Sequence, residues 1–370
     1  MSQVFFTDLR AHSHLNLQRK LEALITKAGI DKIDFNRKIT AVKIHFGEPG
    51  NLSYIRPNFA STVVKFLKNK GAKPFLTDAN TLYSGMRSNA VDHLRSAWEN
   101  GFNPLAVDCP VIIADGLRGM DYVDVPLNLQ HCTTAKIGRS VMDADVLISM
   151  THFKGHELTG FGGVLKNIGM GCASVGGKME LHSTSKPQIV AENCTGCAIC
   201  VRNCAHEAVT IGDDNVAVID YDSCIGCGQC VAVCQYDSAQ AVWENASELS
   251  GRKIAEYTLA VVKDKPAFHI SFIMDVSPDC DCWNFNDYPL VPDIGIAASF
   301  DPVALDQACA DMVINAPLLS GNRIYKGESH DQYCGKDKFA MTHPNVSWKE
   351  ALAYAEEIGL GQRTYELIKI

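Results

Sequence analysis

The sequence predicts an α/β fold: two α/β parts with mostly parallel sheets, interrupted by a compact cysteine-rich insert. Three observations carry this. Strand-like and helix-like segments alternate through the first half of the 370 residues. The alternation stops where eight cysteines crowd between Cys194 and Cys234. It then resumes to the C-terminus. The expected divisions are residues 1–185 for the first α/β part, 186–243 (Lys186 to Trp243) for the insert, and 244–370 for the second part.

Each element follows from its residues. Val4–Leu9 reads as a short strand, and Leu15–Ala28 as a helix with Leu17, Leu21, Leu24 and Ile25 on one face. Ile39–Phe46 alternates as a half-buried strand. Asn58–Lys70 is an amphipathic helix stopped by Gly71, Lys73–Asp78 a strand, and Ser88–Asn100 a helix ending at Gly101. Val111–Ala114 and Val146–Met150 are short buried-type strands. Beyond the insert, Ala246–Val262 reads as a helix and Phe268–Val276 as a strand. Asp301 caps a helix with Pro302 at its first position, running to about Asn315. Trp348–Ile358 is the last long helix, capped by Ser347 and ended by Gly359.

With 46% hydrophobic and 21% charged residues, the chain has ordinary globular composition. Net charge is −8, and no basic block or stripe is present, which argues against a nucleic-acid partner. No apolar run reaches bilayer-spanning length, so no membrane partner is expected. The first residues, Met1 to Asp8, lack the basic and apolar regions of a signal peptide. A cytoplasmic protein is expected. Fifteen cysteines in a reducing compartment point to metal binding or redox chemistry rather than disulfides.

The cysteine spacing is specific. Cys194, Cys197, Cys200 and Cys204 form one C-x2-C-x2-C-x3-C run, and Cys224, Cys227, Cys230 and Cys234 repeat it thirty residues later. In this order three thiolates wrap one iron–sulfur cube and the fourth crosses to the other. Cys194, Cys197, Cys200 and Cys234 are therefore expected on one [4Fe–4S] cluster, and Cys224, Cys227, Cys230 and Cys204 on the second. The run resembles bacterial two-cluster ferredoxins, although Ala205 and Gln235 stand where those carry proline. Two clusters in one module fit a short electron wire.

A second feature is the stretch from Gly155 to Gly177, with eight glycines. It follows the strand Val146–Met150. Gly160, Gly162 and Gly163 are candidate cofactor-binding positions, because glycines after a strand expose N–H groups to an anion. A helix starting near Gly163 places Lys166 in its first turn, against the helix dipole. Such a lysine either is compensated by a bound anion or has a depressed pKa. His156, Lys166 and His182 are the candidate catalytic groups, with His152 beside them. His45 and Glu48, beyond the carboxyl end of a strand, are second-tier candidates.

The third feature is Pro278-Asp279-Cys280-Asp281-Cys282-Trp283. Residues i and i+2 of an extended or turning segment project to one side. Cys280 and Cys282 are thus a possible third metal or redox site, with Asp279 or Asp281 near, Cys172 as a third ligand and His182 as a fourth. A disulfide within so small a ring is disfavoured by strain. Cys109, Cys132, Cys309 and Cys334 receive no role, Cys309 being a small core residue on a helix.

Two resemblances follow from these motifs. Asp143-Ala144-Asp145-Val146-Leu147-Ile148, His156, Gly160-Phe161-Gly162-Gly163 and Lys166 resemble the nickel-pincer lactate racemases. There, a histidine ten residues before a lysine is an acid/base, the lysine is tethered to the pincer cofactor, and a later histidine binds nickel. His156, Lys166 and His182 stand at those places. The strand ending Leu76-Thr77-Asp78-Ala79-Asn80 lacks the racemases' second catalytic histidine. Over nearly the whole chain, the sequence is similar to an uncharacterised family, the domain of unknown function 362. The carrying segments are Lys43-Ile44-His45-Phe46-Gly47-Glu48, Thr77-Asp78-Ala79-Asn80, Lys154-Gly155-His156, Pro278–Cys282 and Asp301-Pro302-Val303-Ala304-Leu305-Asp306. That resemblance implies an iron–sulfur protein and no agreed reaction.

The expectation is an oxidoreductase. Two [4Fe–4S] clusters pass electrons between a redox partner protein and a small-molecule substrate in the cleft between the α/β parts, with Lys166 fixing an anionic group and His156 supplying a proton. The competing expectations are a non-catalytic electron carrier or adaptor and a racemase-like metal-pincer isomerase with an accessory ferredoxin.

Overall fold

The computed structural model describes the chain except residues 84, 183–186, 205, 225, 227, 241–246 and 328, and the side chains of 232, 330 and 331. The expected insert bounds Lys186 and Trp243 and the cluster ligand Cys227 lie outside the described residues.

The first elements keep the expected rhythm: β1 (Ser2–Asp8), α1 (Leu17–Lys27), β2 (Ile39–Lys43), α2 (Pro57–Asn69), β3 (Lys73–Asp78), α3 (Ala90–Glu99), a short α4 (Pro104–Val107) and β4 (Val111–Ile113). A hairpin of β5 (Tyr122–Pro126) and β6 (Thr134–Gly138) follows, then α5 (Arg139–Asp143) and β7 (Val146–His152). The glycine-rich stretch forms the small hairpin β8 (Lys154–His156) and β9 (Gly160–Gly162), then α6 (Val164–Gly169) and α7 (Val175–His182). The cysteine-rich segment has only short pieces: β10 (Gln188–Ile189), α8 (Ile199–Arg202), β11 (Val209–Ile211), β12 (Ala217–Ile219), α9 (Gln229–Val233) and β13 (Ala239–Gln240). The chain closes with α10 (Ser247–Val262), β14 (Ala267–Ile273), β15 (Gly295–Ser299), α11 (Pro302–Asn315), α12 (Lys338–Thr342), α13 (Trp348–Glu357) and β16 (Tyr365–Lys369).

Strands from before and after the cysteine-rich segment share one eight-stranded sheet, ordered β16-β1-β15-β14-β7-β2-β3-β4. Five of its seven pairings are parallel; the antiparallel ones place β15 between β1 and β14. The expected two α/β parts thus join along β14–β7, where Phe268 is opposite Ile148 and Ile270 opposite Met150.

Pleating sends alternate side chains to two separate cores. Val42, Leu76, Ile148, Met150, Ile270 and Phe272 face α1, α2 and α3. Ala41, Leu147 and Ala297 face a layer of α6, α10, α11 and α13, through residues such as Ile168, Tyr257, Val313 and Leu352. The Asp301 cap is as expected, its carboxylate accepting from Val303 and Ala304 N–H at 2.9 Å each. Among the described residues, no helix is long and apolar enough to cross a membrane.

Candidate functional site

In the sheet, β2 runs on to β3 and β4 on one side, while β7 lies on its other side. The order reverses at β2/β7, and ligands of open α/β sheets bind beyond the carboxyl ends of strands at such a point. Asn167 of α6 spans this gap. Its amide donates to Met150 O and Thr151 Oγ1 at the end of β7, and its carbonyl accepts from Lys43 Nζ at 2.8 Å at the end of β2.

On the β2/β3 side the side chains form one buried ionic chain. Lys43 Nζ is 3.0 Å from Asp78 Oδ1, Arg87 NH1 is 3.8 Å from Asp78 Oδ2, and Arg87 Nε donates to Glu48 at 2.6 Å. Arg87 NH2 reaches Tyr83 Oη at 2.7 Å. Burial alone would raise the Asp78 pKa; Lys43, with His45, His93 and Arg87, outweighs it and holds the carboxylate ionised. Arg87 and Tyr83 were not anticipated. Their only sequence signal is a loop after a strand ending in Asp78.

On the β7/β14 side, Asp281 turns inward. It meets His152 Nδ1 at 2.8 Å and Lys154 Nζ at 3.3 Å, and His152 Nε2 faces Met274 O at 2.8 Å. Both ring nitrogens thus lie against oxygen atoms of the chain. Asp279 pairs with Arg323 at 2.8 Å. Neither carboxylate therefore turns to the neighbouring thiols.

Between these two groups lie Cys280 and Cys282, whose sulfurs are 2.9 Å apart. Lys166 Nζ is 3.5 Å from Cys280 Sγ, and His45 Nε2 is 3.8 Å from Cys282 Sγ. His45 Nδ1 accepts from Gly47 N–H, leaving Nε2 to carry the proton of the neutral ring. Cys280 is buried, yet its pKa is brought down to about 6. The hydrogen bond with Cys282 is the largest cause; burial opposes it, and the Lys166 and Lys154 ammonium groups add to it. The turn is seated by Gly155, whose N–H donates to Ser277 O at 2.7 Å; a Cβ there would stand 2.0 Å from Pro278 O.

Lys166 stands beside this pair, and His156 and His182 are near Lys166. Burial lowers the Lys166 pKa, but the thiols of Cys280 and Cys282 with Glu157 outweigh it and raise it. The depressed pKa expected from the sequence is thus not what the surroundings give; the groups that raise it belong to the chain itself. His156 and His182 are both pushed down to about 3, mainly by burial, then by Lys166. His156 Nδ1 accepts from Leu158 and Thr159 N–H. Burial and Lys166 both favour the uncharged ring.

The glycine loop differs from expectation in its partners. The N–H groups of Val164 and Leu165, at the start of α6, are taken by the buried Asp306 carboxylate at 2.6 and 3.0 Å. A Cβ on Gly163 would stand 2.3 Å from Asp306 Oδ1. Gly160, at φ +75°, packs on Trp348, and Gly162 on Lys154. These glycines admit protein neighbours at close range. Cys172, expected as a third ligand of the Cys280 pair, is buried in the main core with Lys43, Asp78, Lys178 and Lys265 as its charged neighbours. Among the described residues, no three His, Cys, Asp or Glu side chains form a group that could hold a metal ion.

The cysteine-rich segment repeats its backbone as it repeats its sequence. Gly196 and Gly226 occupy one repeat position at φ +65° and +73°; Ala198 and Gly228 occupy the next, at +56° and +73°, and each precedes a short helix. Cys194, Cys197, Cys200 and Cys234 line one recess, with Ile189, Ile199, Ile211 and Tyr236. Backbone N–H groups point at the sulfurs: Ala217 at Cys194 (3.3 Å), Ser238 at Cys234 (3.4 Å) and Ala208 at Cys204 (3.3 Å). Backbone N–H groups directed at sulfur are also common around the thiolates of iron–sulfur proteins. The loop of Gly228 and Cys230 seats on α7, where a Cβ on Gly228 would meet Met179 at 3.2 Å. Val231 packs there against Val175, Met179 and Leu82.

Residues 40–311 match the family described as domain of unknown function (DUF362), and the chain belongs to that family. No curated protein matches. Two solved structures are similar at low identity. One is the lactate racemase apoprotein of Thermoanaerobacterium thermosaccharolyticum, with 13% identity and TM-score 0.44, covering 84% of this chain and 58% of that one. The other is a Thermotoga maritima protein, with 12% identity and TM-score 0.34, covering 71% and 52%. The chain thus spans little more than half the length of either.

Proposed function

We propose that this DUF362 protein is an iron–sulfur oxidoreductase: two [4Fe–4S] clusters exchange single electrons with a redox partner protein and serve a small-molecule site at the β2/β7 switch point. The supporting observation is the recess that collects Cys194, Cys197, Cys200 and Cys234, three thiols from one run and the fourth from the other, as cube-crossing ligation requires. Cys204, Cys224 and Cys230, with Cys227, would hold the second cluster. When bound, the clusters supply one-electron transfer. The chain's own residues do the rest. Lys166 holds negative charge at the Cys280 thiol. Asp281, His152 and Lys154 hold the turn that carries it. The hydrophobic seat of Val231 on α7 fixes the cysteine module against the site.

Anaerobic purification followed by iron and sulfide analysis tests this reading. About eight iron and eight sulfide per chain are expected, with a paramagnetic signal after dithionite reduction. Zinc in place of iron, or a chain that reconstitutes with no acid-labile sulfide, overturns it.

A further inference from the structure

We propose that Cys280 and Cys282 are a redox-active dithiol/disulfide couple whose exchange partner is a dithiol or disulfide compound. The sulfurs at 2.9 Å are too close to share one tetrahedral metal ion, which at about 2.3 Å per bond sets two thiolates about 3.8 Å apart. They are within easy closure of a sulfur–sulfur bond. Asp281 and Asp279 are engaged elsewhere, and Cys172 belongs to another part of the core. Strain in the small Cys-Asp-Cys ring, which argues against a structural disulfide, makes the bond labile, as catalytic disulfides are.

The surroundings assign a role to each sulfur. Cys282 is the more exposed, with the half-exposed Trp283 and Phe285 beside it, and is the sulfur that an incoming thiol or disulfide reaches first. His45 Nε2 stands beside it. Cys280 is fully buried against the Lys166 ammonium, which stabilises it as a leaving thiolate. Opening the bond takes two electrons and one proton. The Cys280–Cys282 bond breaks, Cys280 leaves as thiolate beside Lys166, and Cys282 takes a proton from solvent. A dithiol supplies both electrons by exchange. Under the function proposed above, on which this physiological source rests, two clusters hold one electron each and match the two-electron need.

The test is a thiol–disulfide titration of the anaerobic full-length protein. The protein is poised at graded ratios of reduced to oxidised dithiothreitol, quenched with N-ethylmaleimide and read by peptide mass spectrometry. A single two-electron transition is expected, with both sulfurs labelled at the reducing end and neither at the oxidising end. In Cys282→Ser, Cys280 loses its internal partner; oxidised glutathione then leaves at most one adduct on it and never the two-hydrogen mass loss. Labelling of both cysteines at every ratio overturns the proposal, as does protection that ends only when a metal ion is chelated. Iron and sulfide are measured on the same samples. A normal transition without iron removes the proposed function and keeps the couple; iron without a transition removes the couple alone.

Discussion

The sheet body and the cysteine-rich segment are built on opposite principles. The body has two apolar cores, one on each face of an eight-stranded sheet, and buried charges such as Lys43 with Asp78 and Lys154 with Asp281 are paired. The segment from Gln188 to Gln240 has strands of two or three residues and a satellite core of Val209, Ala217 and Ile219, with four cysteines packed against it. Three such side chains, at about 1.5–3 kcal/mol for each larger one, are too few to order some fifty residues. One region is stabilised by what it removes from water. The other, on the function proposed above, is stabilised by the clusters its thiols would hold.

The largest effect expected from this contrast is a selective loss of structure. Stripping iron with a chelator under reducing conditions should abolish amide protection across Gln188–Gln240, while β2, β3, β7 and β14 keep theirs. Hydrogen exchange read by mass spectrometry checks both halves in one sample. Full protection of the segment in metal-free protein breaks the comparison; a parallel loss in β7 and β14 shows that the body depends on the module.

Within the body, the weak point is charge. Lys43 and Asp78 are both almost fully buried at 3.0 Å. Lys43→Met leaves Asp78 uncompensated and should cost about 3–5 kcal/mol, whereas Lys43→Met with Asp78→Leu should recover most of it. Urea unfolding of the sheet, followed by far-ultraviolet circular dichroism, measures both. The pH dependence has a definite sign. Asp78 has a depressed pKa in the folded protein, so its contribution is complete above the ordinary carboxylate range, near pH 4, and is lost as pH falls through the folded value. Lys43→Met should remove that acid-side loss. Equal stability of single and double variants would mean that the pair is solvated.

What could be read in advance follows the range of the interactions. The cysteine runs, the Asp301 cap and the Lys73–Asp78 strand are local patterns, and each is where the spacing put it. Strands β15 and β16 escaped notice because they are specified by pairing with β1, hundreds of residues away in sequence. Asp306 is the clearest case. Its carboxylate caps α6 from 142 positions away, so the glycine loop looked open to an anion when the chain itself fills that place. Distance likewise hides the inward turn of Asp281, 129 positions from His152, whereas Arg87 and Tyr83 lie near their partners in sequence, in a loop that carries no periodic pattern. Lys166 is singled out in the sequence by its place near the start of a helix, whereas its neighbouring thiol is 114 residues on.

That pairing gives the smallest and most specific effect. The Cys280 pKa of about 6 has Lys166 among the causes that lower it, after the hydrogen bond from Cys282. Lys166→Met removes the ammonium and keeps the stem, so the thiolate loses its cation and the pKa should rise by about one unit or more. The pH profile of iodoacetamide labelling at Cys280, read by peptide mass spectrometry, has its midpoint near 6 in the wild-type chain and should move toward neutral in the variant. Because the midpoint is compared rather than the rate, slow access to a buried sulfur does not affect the outcome. An unmoved midpoint would assign the lowering to Cys282 alone, and Cys282→Ser would then shift it by the whole amount. Either result separates the thiol pair from the cysteine-rich segment, because Lys166 touches the first and lies outside the recess of the second.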